Sequence, residues 1–176
     1  RLARLRSMEP VDAARRASAT LAASAVDLFI ETVQIAVHQI LFARRVYPRS
    51  VFERRRLHNS ITVRMSRHPE LNQYISTVMA NARPLLLEGT VERVVCCIYD
   101  GARRPYERYE FRIRSLGGGG GGLGDAVDEE DLLSRTGDEL RDLLLRTAAL
   151  EWQLEPPSEG SGSTFALLVH CRPHSE

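Results

Sequence analysis

At 176 residues, 43% hydrophobic and 27% charged with a net charge of +1, the chain has the size and composition of one globular domain with a core of its own. No stretch approaches the roughly 18 apolar residues of a membrane helix, and the N-terminus lacks the apolar centre of a secretory signal. The near-neutral total hides an asymmetry: residues 1–114 carry 20 Arg against 11 acidic residues, the remainder 4 Arg against 12, and there is no Lys. One half can therefore complement the other, within a molecule or between two copies.

Residues 1–18 are rich in Arg and Ala but include Glu9 and Asp12, which argues against a transit peptide. We read them as a disordered leader, followed by one domain over 19–172 and a short tail over 173–176. In the first helix Ser24, Asp27, Glu31, Gln34, His38 and Arg45 form one narrow polar stripe at helical spacing. Apolar residues from Leu21 to Phe42 cover the rest, so this helix is expected at the centre, wrapped by a sheet and other helices. Pro48 is expected to end it.

Val51 to Met65 alternates imperfectly around His58-Asn59-Ser60, the pattern of a hairpin with its turn at the middle. A second helix follows, with Ser66 available as a cap and Pro69 in its first turn. Its apolar positions Leu71, Ile75, Val78, Ala82 and Leu85 fall on one face, and Gly89 closes it. Val91 to Tyr99 reads as a strand covered on both faces. After Asp100-Gly101, Tyr106 to Arg114 alternates, with Tyr109, Phe111 and Ile113 on one side, and pairs back as an antiparallel hairpin.

Residues 117–127 are glycine-rich and are expected to form a flexible loop. A third helix is expected from about Asp128 to Leu150, with Leu133, Leu140, Leu143 and Leu144 as its apolar edge. Thr164 to Cys171 is a last strand, apolar enough to be central. The fold class is α+β, three helices packed on a mainly antiparallel sheet.

Chemistry is thinly represented. Gly119-x-Gly121-x-x-Gly124 matches a dinucleotide fingerprint only because a glycine run matches any glycine pattern, and the acids that follow would repel a phosphate. The histidines show no metal spacing and no nucleophile–base arrangement occurs, so we expect no enzyme, no metal and no cofactor. Cys96 and Cys97 leave opposite faces of a strand and cannot grip one ion; all three cysteines read as buried thiols in a reducing compartment. Arg54-Arg55-Arg56 and Arg103-Arg104 read as solvated faces, with direct DNA or chromatin binding as the alternative, since no aromatic residues interleave for base stacking.

Several strings in order resemble the HORMA domain. They are Val37-His38-Gln39-Ile40-Leu41 through Val46-Tyr47-Pro48, Met65-Ser66-Arg67-His68-Pro69-Glu70-Leu71-Asn72-Gln73-Tyr74-Ile75, Pro84-Leu85-Leu86, Val91-Glu92-Arg93-Val94-Val95, Arg104-Pro105-x-Glu107-Arg108-Tyr109-x-Phe111 and Thr164 to His170. The branch they resemble most contains the mitotic-arrest-deficient-like accessory subunit of DNA polymerase zeta.

The resemblance implies a non-catalytic adaptor in the nucleus, possible also in the cytoplasm, whose sheet takes a partner peptide as an added strand. Implied partners are the catalytic subunit of polymerase zeta, the translesion scaffold polymerase and repair-pathway-choice factors, with a second copy or another HORMA protein as a dimer partner; spindle-checkpoint and meiotic-axis roles are the alternatives within the family. Tyr74 matches the tyrosine that packs on the bound peptide. Arg141 matches an arginine central to the family's homodimer contact, with Arg45 and Arg54 beside it, and Arg45 stands where close relatives carry an acid. A closing C-terminal segment, the safety belt, is expected beyond His170, and the expected fold here is HORMA-like without it.

Overall fold

The apolar run of the first helix dictates the arrangement. In the computed structural model, which describes residues 10–57, 61–113, 129–154 and 162–173, α1 spans Pro10–Ala43 and packs against both other helices and the hairpin. Val33, Ala36, Val37, Ile40 and Leu41 are completely buried there. By length and hydropathy Ala19–Ala43 would also reach across a membrane, contrary to the expectation that no stretch comes near. A helix wrapped by its own chain carries the same composition. Residues 10–18 of the expected leader are helical, as the first turns of α1.

The polar stripe is exposed at Ser24, Asp27 and Glu31 but runs into the interior at His38, which is 4% exposed. Pro48 does not end α1. Arg45 does, at φ 50, with its N–H donating to the Phe42 carbonyl and the Val46 N–H donating to the Leu41 carbonyl. This left-handed closure at Arg45 satisfies the last carbonyls ahead of the proline, which instead begins a 3-10 turn, Arg49–Val51.

β1 (Phe52–Arg56) and β2 (Thr62–Ser66) form the expected antiparallel hairpin, with Arg54 opposite Arg64; the proposed turn at His58-Asn59-Ser60 lies outside the described residues. α2 (Pro69–Leu87) buries Leu71, Ile75, Met79, Ala82 and Leu86, so its core face is turned slightly from the expected one and leaves Val78 and Leu85 half-buried. Its cap is His68 rather than Ser66: the Leu71 N–H donates to the His68 ring at 3.4 Å, while Ser66 Oγ accepts from the His68 N–H. Gly89, at φ 70, closes the helix as its sequence position implies.

β3 (Val91–Tyr99) is the central strand of a sheet ordered β4-β3-β5, antiparallel throughout, with β4 at Pro105–Arg112 and β5 at Thr164–Cys171. α3 (Glu129–Gln153) lies along α1, where Leu144 is buried and Leu143 and Leu150 are half-buried in the core; the side chain of Leu133 lies outside the described residues. The glycine-rich loop over 117–127 does so too. The architecture is the α+β arrangement of three helices with antiparallel sheets.

Two corrections concern β5. It is an edge strand among the described residues, because only one of its sides pairs, with β3. Its apolar residues reflect one face lying on the core, through Leu167, Phe165 and Val169, rather than burial on both sides. Cys171, expected to be buried, is exposed near the end of that strand, whereas Cys96 and Cys97 are buried on opposite faces of β3.

Candidate functional site

The free side of β5 is the candidate site, and α2 positions the side chain that marks it. Leu71 and Ile75 anchor α2 in the core, which leaves Tyr74, between them, on the flank at 40% exposure. From there its hydroxyl oxygen accepts a hydrogen bond from the Leu167 N–H at 3.1 Å. Leu167 faces Cys96 in the ladder, so an amide that bonds Tyr74 points away from β3. By antiparallel alternation Phe165 and Val169 present their main-chain groups to that same side. No backbone partner meets them there among the described residues.

An aromatic bed borders this edge. Tyr74 meets Phe165 edge to face at 5.5 Å, Tyr47 meets Phe165 at 6.3 Å, and His68 lies 6.4 Å from Tyr47. Partial burial, and then the neighbouring Tyr74, push the Tyr47 phenol above its usual pKa. The edge thus offers main-chain donors and acceptors beside flat apolar rings, the two elements that recognise an extended peptide.

Behind the sheet, Arg44 ties the end of α1 to β4. Its Nε donates to Glu107 Oε2 at 2.7 Å, a second guanidinium nitrogen engages Oε1, and the Tyr109 hydroxyl donates to Oε2 at 2.8 Å. Burial opposes the charge on Arg44, but the bonds it donates to Glu107 and the carboxylate's charge outweigh it and raise its pKa. Burial, followed by the hydrogen bond to Glu107, pushes the Tyr109 phenol up strongly. This network ties the end of α1 to the sheet through β4.

Of the residues marked in the sequence, the structure brings Tyr74 to the β5 edge. Arg45, Arg54 and Arg141 are exposed on three different elements: the end of α1, β1 and α3. Arg45 is the left-handed closing residue of α1, a backbone role that spacing alone does not reveal. Arg54 borders a cavity between α1, the hairpin and α3, which Arg141 and Arg45 do not line. Arg141 makes no ion pair with Asp142, which is held by Arg146 at 2.6 Å. Sequence reasoning did not single out Tyr47 and Phe165 as site residues. The available signal was the alternation of β5, which puts Phe165 on the face of Leu167, towards α2. Among the described residues no group of His, Cys, Asp and Glu is placed to hold a metal ion.

Comparison with known proteins places this geometry. Residues 26–136 match the HORMA domain. The mitotic spindle assembly checkpoint protein MAD2B of Homo sapiens is 37% identical over 151 residues, which cover 83% of this chain and 65% of that protein. MAD2B of Gallus gallus is 38% identical with the same coverage. The DNA polymerase zeta processivity subunit of Schizosaccharomyces pombe is 38% identical over 91 residues, 52% of this chain and 42% of that protein. Among solved structures, a chain of the mitotic checkpoint complex superposes with a TM-score of 0.68 at 22% identity, over 87% of this chain and 78% of that one. The C. elegans protein HTP-1, solved bound to a HIM-3 closure motif, superposes with a TM-score of 0.58 at 15% identity, over 81% of this chain and 67% of that one. The present chain therefore spans 65% of the length of the MAD2B relatives it matches. With a family match over more than half its length, the chain belongs to the HORMA domain family.

Proposed function

We propose that this chain is a non-catalytic nuclear adaptor that takes a short extended segment of a partner protein as an added strand along the free side of β5. The observation that carries the reading is the β5 edge, unpaired among the described residues, with Tyr74 and Phe165 beside it. The relatives' names, which include a polymerase zeta processivity subunit, favour translesion synthesis or related DNA repair as the setting. HORMA proteins solved with closure motifs bound support a peptide as the ligand. The catalytic subunit of polymerase zeta is then the first partner to test, and main-chain pairing needs no cofactor.

The test is calorimetric titration with a peptide from that catalytic subunit. Tyr74→Ala is expected to weaken binding by about 2 kcal/mol, roughly thirtyfold, through loss of one aromatic anchor. Thermal unfolding should stay close to that of the parent, since Tyr74 is partly exposed. Equal affinity of parent and variant would remove Tyr74 from the site.

A further inference from the structure

We infer that the outer face of the β4-β3-β5 sheet, the side turned away from the core, is a platform for single-stranded nucleic acid. Tyr99 and Tyr106 would stack on its bases, and Arg93, Arg108 and Arg112 would hold its phosphates. This goes beyond the adaptor reading and does not depend on it: a strand added at β5 extends the sheet sideways and does not cover this face.

The alternation of β3 builds the face. Val94, Cys96 and Ile98 enter the core, so Val95, Cys97 and Tyr99 point the other way and floor a groove of about 460 Å³. Ladder register sets its walls. Arg108 on β4 and Ala166 on β5 stand opposite Cys97, and Glu110 and Leu168 stand opposite Val95. Tyr106 and Leu168 border the groove, each 41% exposed, so large apolar side chains stay open to a ligand. Tyr99 ends β3 and Tyr106 lies at the start of β4. The β3–β4 turn with Arg103-Arg104 is thus flanked by two rings that the basic pair lacks when read as an isolated cluster.

The charges are arranged for a polyanion. Arg108 and Arg112, both mostly exposed, share the carboxylate of Glu110 at 3.4 Å and 3.1 Å. Arg93 reaches Glu92 at 3.6 Å, and its buried Nε has no hydrogen-bond partner among the described residues. Arg93 also stands directly opposite Arg112, a like-charge pairing that costs stability unless an anion lies between. From Arg93 to Tyr99 the strip runs about 20 Å along β3. Cations spread along an open strip with aromatic rings at one end suit a ligand that repeats one charge and one flat apolar face per unit. A duplex keeps those faces inside its own stack, and an acidic peptide carries no ring beside each charge.

The experiment titrates the intact chain into a fluorescein-labelled thymidine oligonucleotide of about 12 nucleotides and follows anisotropy. We expect saturable binding whose logarithmic salt slope is about −2, for three phosphates held. Arg108→Gln and Arg112→Gln should each flatten that slope by about 0.7. Tyr106→Ala should weaken binding about tenfold with the slope unchanged, since it removes stacking rather than charge. Arg83→Gln, on an arginine of α2 that pairs with Asp27, should bind like the parent. All three test side chains are exposed, and circular dichroism checks that each variant folds; should one unfold, the other two decide. A uridine oligonucleotide of equal length tells ribose from deoxyribose strands, and preference for either supports the platform. The proposal is overturned by the absence of saturable binding at low salt, by a duplex of equal length binding as tightly, or by variants with the parent's slope and affinity. It is equally overturned if polyglutamate of matched charge displaces the strand as well as unlabelled oligonucleotide does, which would make the face a site for acidic polypeptide.

Discussion

His38 is enclosed in α1 with no hydrogen-bond partner for its Nδ1, and burial, then the positive charge of Arg55, lowers its pKa to about 4. In the unfolded chain the same imidazole titrates near its ordinary 6.5. Between those values the unfolded state binds a proton that the folded state does not, so stability falls as pH falls through this window. The full separation is worth on the order of 3 kcal/mol. A plot of melting temperature from pH 7 to pH 4 should therefore drop, and His38→Gln should flatten it. Parallel curves for parent and variant would show that His38 is not the group responsible. Tyr74 poses the complementary case at this scale, because its hydroxyl and its ring do different things at the β5 edge. The hydroxyl occupies one main-chain donor, Leu167 N–H, that an incoming strand would use, whereas the ring offers packing surface. Removing the oxygen alone, as Tyr74→Phe, is expected to preserve or strengthen peptide affinity in the titration that Tyr74→Ala weakens.

Elements end here by the same geometry with different residues. Both α1 and α2 close through a left-handed residue, Arg45 at φ 50 and Gly89 at φ 70. At Gly89 a side chain would meet nothing within 4 Å, so the cost of Gly89→Ala is backbone strain alone. We expect a loss of about 1 kcal/mol by urea denaturation. A loss several times larger would mean that the α2–β3 connection, not just the helix end, had rearranged. Gly89 was legible because glycine is the ordinary residue at such a position. Arg45 was not, since an arginine in a left-handed conformation is dictated by how α1 must turn toward the hairpin, and the nearby proline offered a plausible but incorrect stop.

For the whole molecule the decisive link is the one between α1 and β4. Arg44 is 5% exposed and spans from the helix to Glu107, whose second oxygen is shared with Tyr109. Removing one partner of such a pair leaves a buried charge uncompensated. Glu107→Gln should therefore cost about 3 kcal/mol in equilibrium unfolding. Adding Arg44→Met should recover part of that loss, since the unmatched charge is then gone too. A double variant no better than the single one would assign the stability to packing rather than to charge. By contrast the bidentate Asp27–Arg83 pair between α1 and α2 is solvent-exposed on both sides and should contribute little.

Much of this architecture follows from one-dimensional pattern. The continuous apolar cover of α1, the single-face spacing of α2, the two-sided burial of β3 and the alternation of β4 are each consequences of a helical or a two-residue period, which a sequence displays directly. Tyr74 was within reach for a related reason: it sits in the most distinctive string of the chain, between two core positions. What periodicity cannot supply is the neighbour. Thr164–Cys171 is equally apolar whether it lies inside a sheet or at its border, and only the assembled sheet makes it an edge strand among the described residues. Likewise Arg49, Arg54 and Arg64 are surface arginines on paper. The meeting of Arg49 and Arg64 on the Phe42 ring exists only because α1 ends where it does and the hairpin folds back over it. Local preference is written residue by residue, whereas edges, cavities and meetings of like charges are properties of distances that only the folded chain sets.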